Sequence, residues 1–277
     1  ASGNSTTISG GLSNIASGNG SSVSGGYQNT ASGGASSIGG GASNYATYSG
    51  STVGGGYGNQ SSGGSSTISG GQGNTASGTY FPTIGGGQGN VASANGTTVS
   101  GGSSNNASNV NSTIAGGISN TASGGNSTVS GGGGNDATGS NATIGGGSNN
   151  EATGTNNSTV GGGSLNNVSG ENSTIGGGTG NISDYADSTI SGGNTNKSSG
   201  YLYGQSTVGG GKDNTASADY STVSGGTGNT ASGSESSTIG GGNTNNASGN
   251  GTTISGGANN IASGNGSSVS GGYSNTA

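Results

Sequence analysis

The chain has 277 residues, 73 of them Gly, with 22% hydrophobic and 4% charged residues and a formal net charge of −6. It contains no Cys and no His, which excludes disulfides, thiol nucleophiles and imidazole bases. Two basic residues give nucleic acid no electrostatic footing, and no apolar run approaches a membrane span.

Such a composition implies disorder unless an internal repeat organises it. The glycines follow no three-residue period, which excludes collagen. Instead a unit of about 15 residues recurs throughout, each copy centred on one Val or Ile. These anchors are Ile8, Val23, Ile38, Val53, Ile68, Ile84, Val99, Ile114, Val129, Ile144, Val160, Ile175, Ile190, Val208, Val223, Ile239, Ile254 and Val269. Every anchor is followed by Gly-Gly at plus two and plus three and by Asn at plus six, from Asn14 to Asn275.

Anchor spacings of 16 at Ile68–Ile84, Ile144–Val160 and Val223–Ile239, and of 18 at Ile190–Val208, leave the anchor-to-Asn distance unchanged. Extra residues therefore enter at one corner only, as in a solenoid. Two corners stand out, Thr79-Tyr80-Phe81-Pro82 and Gly200-Tyr201-Leu202-Tyr203-Gly204-Gln205. Residues 7–31 and 253–277 agree at 22 of 25 positions, which suggests duplication of multi-coil blocks. We expect residues 1–277 to form a single repeat domain that is a segment of a longer repetitive chain.

Within each half of the unit the alternation has period two, as strands require. The expected inward set is Ser at minus two, the anchor, Asn at plus six and a small residue, usually Ala, at plus eight. The expected outward set is Thr at minus one, Ser, Gly or Ala at plus one, a variable residue at plus seven and Ser or Thr at plus nine. Gly-Gly and the later Gly are expected to turn the two corners at positive φ. Glycine density and the absence of a 3.6-residue period exclude helix. The reading is an all-β solenoid, a narrow two-sided parallel β-roll of 18 coils. One branched apolar side chain per coil is too little to order the chain, so polar ladders must contribute. The pairs Val23 with Asn29, Val53 with Asn59, Val129 with Asn135 and Val208 with Asn214 represent that ladder, each amide bonding its neighbour and the corner backbone.

No enzyme constellation is present and no cofactor is implied. The acids Asp136, Glu151, Glu171, Asp184, Asp187, Asp213, Asp219 and Glu235 are expected at differing outward phases. Asp184 and Asp187 flank Tyr185 as either a cation site or a solvated corner. The stretch 131–136 lacks the nine-residue period of calcium-binding repeats, and no helix follows the glycines to make a phosphate loop. Asn-x-Ser/Thr triplets place candidate glycans on Asn4, Asn19, Asn95, Asn111, Asn126, Asn141, Asn157, Asn172, Asn250 and Asn265, all at the corner before an anchor. Asn59, Asn181 and Asn196 carry the triplet at the inward phase and should stay unmodified. The ten tyrosines fall at corners or outward phases, with local clusters at Tyr80–Phe81 and Tyr201–Tyr203. Thr fills the minus-one position in fifteen of eighteen coils, and Ser22, Ser37 and Ser268 fill the rest. Thr52, Thr67, Thr83, Thr98, Thr113, Thr128 and Thr143 then make a candidate ice-ordering face of hydroxyls and methyls, the alternative being β-propensity and solubility.

The half-repeats in Ser206-Thr207-Val208-Gly209-Gly210 and Asn214-Thr215-Ala216-Ser217 resemble those of the ryegrass antifreeze, or ice-recrystallisation-inhibition, family, over every coil. That resemblance implies a left-handed β-roll with internal Asn ladders and one flat ice-binding face. The same unit is similar to the head repeats of trimeric autotransporter adhesins, with Ser-Thr-Val-Ser-Gly where those have Ser-Val-Ala-Ile-Gly. That resemblance implies a left-handed roll on a microbial surface, assembled as a homotrimer. The expectation is a non-enzymatic extracellular or cell-surface structural solenoid, a segment of a fibre or adhesin-like stalk. It would self-associate end to end or side by side, carry candidate glycans, and have no nucleic-acid partner and no membrane span in this segment. The alternative is an ice-binding protein using the Thr/Ser face.

Overall fold

The computed structural model describes residues 1–200 and 203–277. It divides into two compact units, Ala1–Ala137 and Thr138–Ala277. Each unit is a β-solenoid of parallel coils with no helix among its described residues. In the first unit, nine two-residue strands run from Thr7–Ile8 to Thr128–Val129 and nine from Ile15–Ala16 to Asp136–Ala137. In the second, nine run from Thr143–Ile144 to Ser268–Val269 and eight from Glu151–Ala152 to Ile261–Ala262.

Register follows the anchors. Val23 stands against Ile38, Val53 against Ile68 and Val208 against Val223. The insertions do not disturb it, since Ile68 still faces Ile84 and Ile190 still faces Val208. A solenoid tolerates an extra residue only where it bulges without shifting the ladder, and the −3 to −5 corner is that place.

The expected inward set is buried. Ser21, Val23, Asn29 and Ala31 are fully enclosed, and so are Ser51, Val53, Asn59 and Ser61. The adjoining strand residues at minus one and plus seven are half-buried or exposed throughout. The core of most coils is thus one Val or Ile across from one small residue, with a polar pin at each end; Val168 replaces the small residue opposite Val160, and Pro82 and Ala142 replace the first pin before Ile84 and Ile144. Serine supplies the first pin less completely than asparagine supplies the second. Ser51 donates to the Tyr48 carbonyl, whereas the buried Ser21, Ser36, Ser127, Ser158 and Ser237 hydroxyls have no hydrogen-bond partner.

The asparagine pins are fully used. Asn44 receives its place in the ladder through its backbone N–H, which donates to Asn29 Oδ1 at 3.1 Å. Its side-chain nitrogen donates to Gly40 O in its own coil at 3.0 Å and to Gly56 O in the next at 2.9 Å. The same three bonds hold Asn181 to Asn166, Gly177 and Gly193. A buried amide with its oxygen and both N–H groups engaged ties one coil to its neighbours and rigidifies the stack. This geometry explains the invariant second glycine. Gly41 has φ +83°, and a Cβ there would strike the Gly56 carbonyl and the Asn44 amide nitrogen.

The corners differ from expectation in two respects. The first corner carries an additional bridge rank at plus four, from Leu12 and Tyr27 through Gln72 to Gly133 in one unit and from Ser148 to Tyr273 in the other. The later Gly is not the residue at positive φ. That role belongs to the residue three before the anchor, for example Ala35 (φ 53°), Asn111 (φ 56°) and Tyr220 (φ 58°). A third left-handed position occurs at plus five, filled by Gln28, Ser104, Leu165 or Gly180 among others. Asn, Asp and Gly enter this region at least cost, and the other side chains store modest strain there.

Candidate functional site

With the interior committed to ladders, chemistry available to a partner resides in the outward ranks. The Thr rank is continuous within each unit. Ser37, Thr52, Thr67, Thr83, Thr98, Thr113 and Thr128 stand side by side in parallel register in the first. Thr143 belongs to the second unit, where it pairs with Thr159, followed by Thr174, Thr189 and Thr207. Neighbours in such a rank repeat at about 4.8 Å. Apart from the Ser22–Ser37 contact at 3.2 Å and a long Thr83–Phe81 carbonyl bond at 3.5 Å, none of these first-unit hydroxyls is held by a hydrogen bond within the described residues. As residues they are half-buried, except Thr83, which is exposed.

The candidate glycan acceptors Asn19, Asn95, Asn111, Asn126, Asn141, Asn157, Asn172, Asn250 and Asn265 are all exposed at the corner. Asn59, Asn181 and Asn196 are buried in the ladder. Corner geometry accounts for much of the triplet pattern. Asn111, Asn126, Asn141, Asn157 and Asn172 themselves occupy the left-handed position, and Asn19, Asn95, Asn250 and Asn265 precede a Gly that does. Some form a second, external ladder, Asn111 to Asn126 at 3.2 Å and Asn157 to Asn172 at 2.9 Å.

The acids do not converge on a metal site, and no group of three potential ligands occurs among the described residues. Asp184, half of the pair flanking Tyr185, accepts an ion pair from Lys197 at 3.2 Å, while Asp187 turns the corner at φ 55°. Asp219 corrects the outward assignment. It is 3% exposed and accepts a hydrogen bond from the Gly204 N–H at 2.9 Å. The Gly204 backbone N–H bonds this carboxylate at the corner, so a residue at an outward phase becomes enclosed.

The described tyrosines are exposed at corners and outward strand positions. Tyr80 and Phe81 lie 6.2 Å apart between ring centres at one insertion, and Tyr203 stacks with Tyr220 at 6.4 Å beside the other. The expected pairing of Tyr201 with Tyr203 cannot be placed, because Tyr201 lies outside the described residues. The plus-seven rank of the second unit holds Glu151, Asn167, Ile182 and Lys197 in register. Beside it Leu165 and Ile182 frame an open recess of about 240 Å³. The repeat pattern gives Ile182 only as the variable outward residue at plus seven and assigns Leu165 no phase. Their signal was positional, two large aliphatic side chains in ranks that face outward.

A scan against protein-family models finds no matching family, and a search of curated proteins finds no matching relative.

Proposed function

We propose that this chain is a non-enzymatic structural β-solenoid acting outside the cell or on its surface, as a segment of a fibre or adhesin-like stalk. The observation that carries the reading is the unbroken Asn ladder within each unit. The buried asparagine of each coil spends its polar capacity on the neighbouring coils, through bonds such as Asn44 to Asn29 and Asn74 to Asn59. Such an interior stiffens a stack and offers no reactive group. The exposed triplet asparagines and the family resemblances support an extracellular setting. Electron microscopy of the purified protein tests it, with extended or laterally associated particles expected. A monodisperse 25.0 kDa monomer at every concentration would count against it.

The second reading is ice binding through the Thr rank. It is favoured by the parallel register of Thr52 to Thr128 and by their hydroxyls, which apart from Thr83 make no hydrogen bond among the described residues. An ice-recrystallisation assay separates the two. Absence of inhibition, or inhibition unchanged when Thr98 and Thr113 are replaced by Tyr, removes ice binding.

A further inference from the structure

Four consecutive coils of the second unit carry an outward pattern that is complementary to its own reverse. Their plus-seven residues are Glu151, Asn167, Ile182 and Lys197, hydrogen-bonded in that order through parallel strands. Their plus-five residues, on the adjoining corner, are Asn149, Leu165, Gly180 and Thr195. Leu165 is 59% exposed and Ile182 is 40% exposed. Leu165 also holds a left-handed backbone conformation, φ 57°, at a corner where Gly180 in the next coil does the same without a side chain. A Cβ on Gly180 would meet nothing within 4 Å, and Gly180 and Leu165 line the same open recess, a notch beside the leucine. A large aliphatic side chain kept in solvent at a strained position, beside that open notch, is unexplained by the coil itself.

We propose that this face pairs with the same face of a second copy, with the two stacks running in opposite directions. The two-fold axis lies in the contact plane, at right angles to the stacking direction, between the coil of Leu165 and the coil of Gly180. That operation keeps each rank opposite itself and reverses coil order. Leu165 then enters the notch at Gly180 of the second copy, and the reciprocal contact repeats it. Ile182 covers Asn167 of the second copy, and Glu151 faces its Lys197. Displacing the axis by half a coil loses this fit. One direction sets Glu151 against Ile182, and the other sets Lys197 against Asn167.

Charge complementarity supports a second copy as the occupant. Glu151 is exposed, and among the described residues its carboxylate accepts a hydrogen bond only from the Asn167 side-chain amide, at 3.1 Å. Lys197 bonds Asp184 at 3.2 Å yet remains 45% exposed, leaving donors for another carboxylate. Four coils span only about 19 Å, so the contact falls at the small end of protein interfaces. Pairing through this patch alone is therefore weak, with a dissociation constant on the order of micromolar or above. It becomes effective where many copies are held in line.

The inference rests on the structural reading only in taking another copy of this chain as the partner. The test is sedimentation equilibrium of the full chain across a wide concentration range, with thermal melts as a fold control. Wild type is expected to show a monomer–dimer equilibrium. Leu165→Gly, which removes the knob, and Gly180→Leu, which fills the notch, are each expected to weaken dimerisation by about tenfold or more. Leu165→Gly should also raise the melting temperature slightly, since it relieves the left-handed leucine. Mixing the two variants should restore pairing, because every Leu then faces a Gly in the heterodimer. Monomer at all concentrations, a dimer indifferent to both substitutions, or failure of the mixture to recover pairing would overturn the proposal. Electron microscopy of the same samples separates the two readings. Fibres that persist in Leu165→Gly sink this surface and leave the fibre standing, whereas discrete pairs without fibres support the surface and sink the fibre.

Discussion

The two sheets of each unit share one backbone geometry and differ in what they show to solvent. On the Asn-half sheet the outward strand residue is Ile15, Thr30, Tyr45, Gln60, Thr75, Val91, Asn106, Thr121 and Asp136 in successive coils of the first unit. On the anchor sheet the corresponding position is Thr or Ser in every coil. Both are half-buried to exposed members of two-residue parallel strands. A parallel ladder of this width therefore tolerates aliphatic, aromatic, amide and acidic side chains facing outward. β-Propensity and solubility would have permitted the same variety on the anchor sheet. The uniformity of the Thr rank is a property of that face, beyond what the parallel ladder demands.

The largest effects should come from the pins beneath the faces. Asn74 donates to Gly70 O at 3.1 Å and Gly87 O at 2.9 Å and accepts from the Asn90 N–H at 2.9 Å. Asn74→Ala orphans these buried groups and should cost about 3 kcal/mol or more, at roughly 1–3 kcal/mol per unsatisfied group. In the same coil Ile68→Ala, under the Thr sheet, should cost about 2–5 kcal/mol through lost burial and a cavity. Urea unfolding of both variants would show whether the two faces rest on supports of comparable weight. A negligible cost for Asn74→Ala would mean that the ladder is incidental and the Val/Ile rank carries both sheets.

A smaller effect is expected where the sheets join. Asn126 holds φ 56° at the exposed corner. Asn126→Ala should destabilise by about 1 kcal/mol, because alanine enters the left-handed region at greater cost, while Asn126→Gly should be close to neutral. Peptide mapping of protein from a glycosylating host gives a parallel check. Sugar is expected on exposed asparagines such as Asn111 and absent from Asn59, Asn181 and Asn196. Modification of any of those three would contradict the buried ladder.

The difference between the two sheets also marks how far the sequence could be read. Val23, Asn29 and Ala31 were legible as inward because their phase never varies, and burial enforces phase. Gly41 was legible as a corner because a side chain there collides with the next coil. The left-handed sites of Gln28, Ala35 and Leu165 were not, since any residue reaches that conformation at modest cost and no single coil betrays it. Only the bias toward Gly, Asn, Ser and Asp, summed over all coils, could have pointed to them. Burial of Asp219 was hidden for another reason: its partner is the Gly204 N–H, and an insertion is what the repeat does not specify. The Leu165 and Ile182 recess escaped notice because periodicity assigns direction to a residue, while mutual fit between surfaces requires the ranks to be laid side by side.

The smallest effect on stability should be the most decisive about function. Thr98 and Asn106 lie in one coil, outward on opposite sheets, and both are half-buried. Thr98→Tyr and Asn106→Tyr should each change unfolding free energy by no more than about 0.5 kcal/mol, since an exposed sheet position accepts tyrosine. Tyr45 already occupies the equivalent of Asn106 four coils earlier in the same rank of the sheet. If the Thr rank orders water, Thr98→Tyr should interrupt inhibition of ice recrystallisation while Asn106→Tyr leaves it intact. If the rank instead packs against another chain, Thr98→Tyr should alter lateral association seen by electron microscopy, again with Asn106→Tyr as the silent control. Equal behaviour of the two variants in both assays would remove the functional distinction between the sheets. The uniform threonines would then need a cause in folding or expression, because the backbone alone, as the Asn-half sheet demonstrates, does not require them.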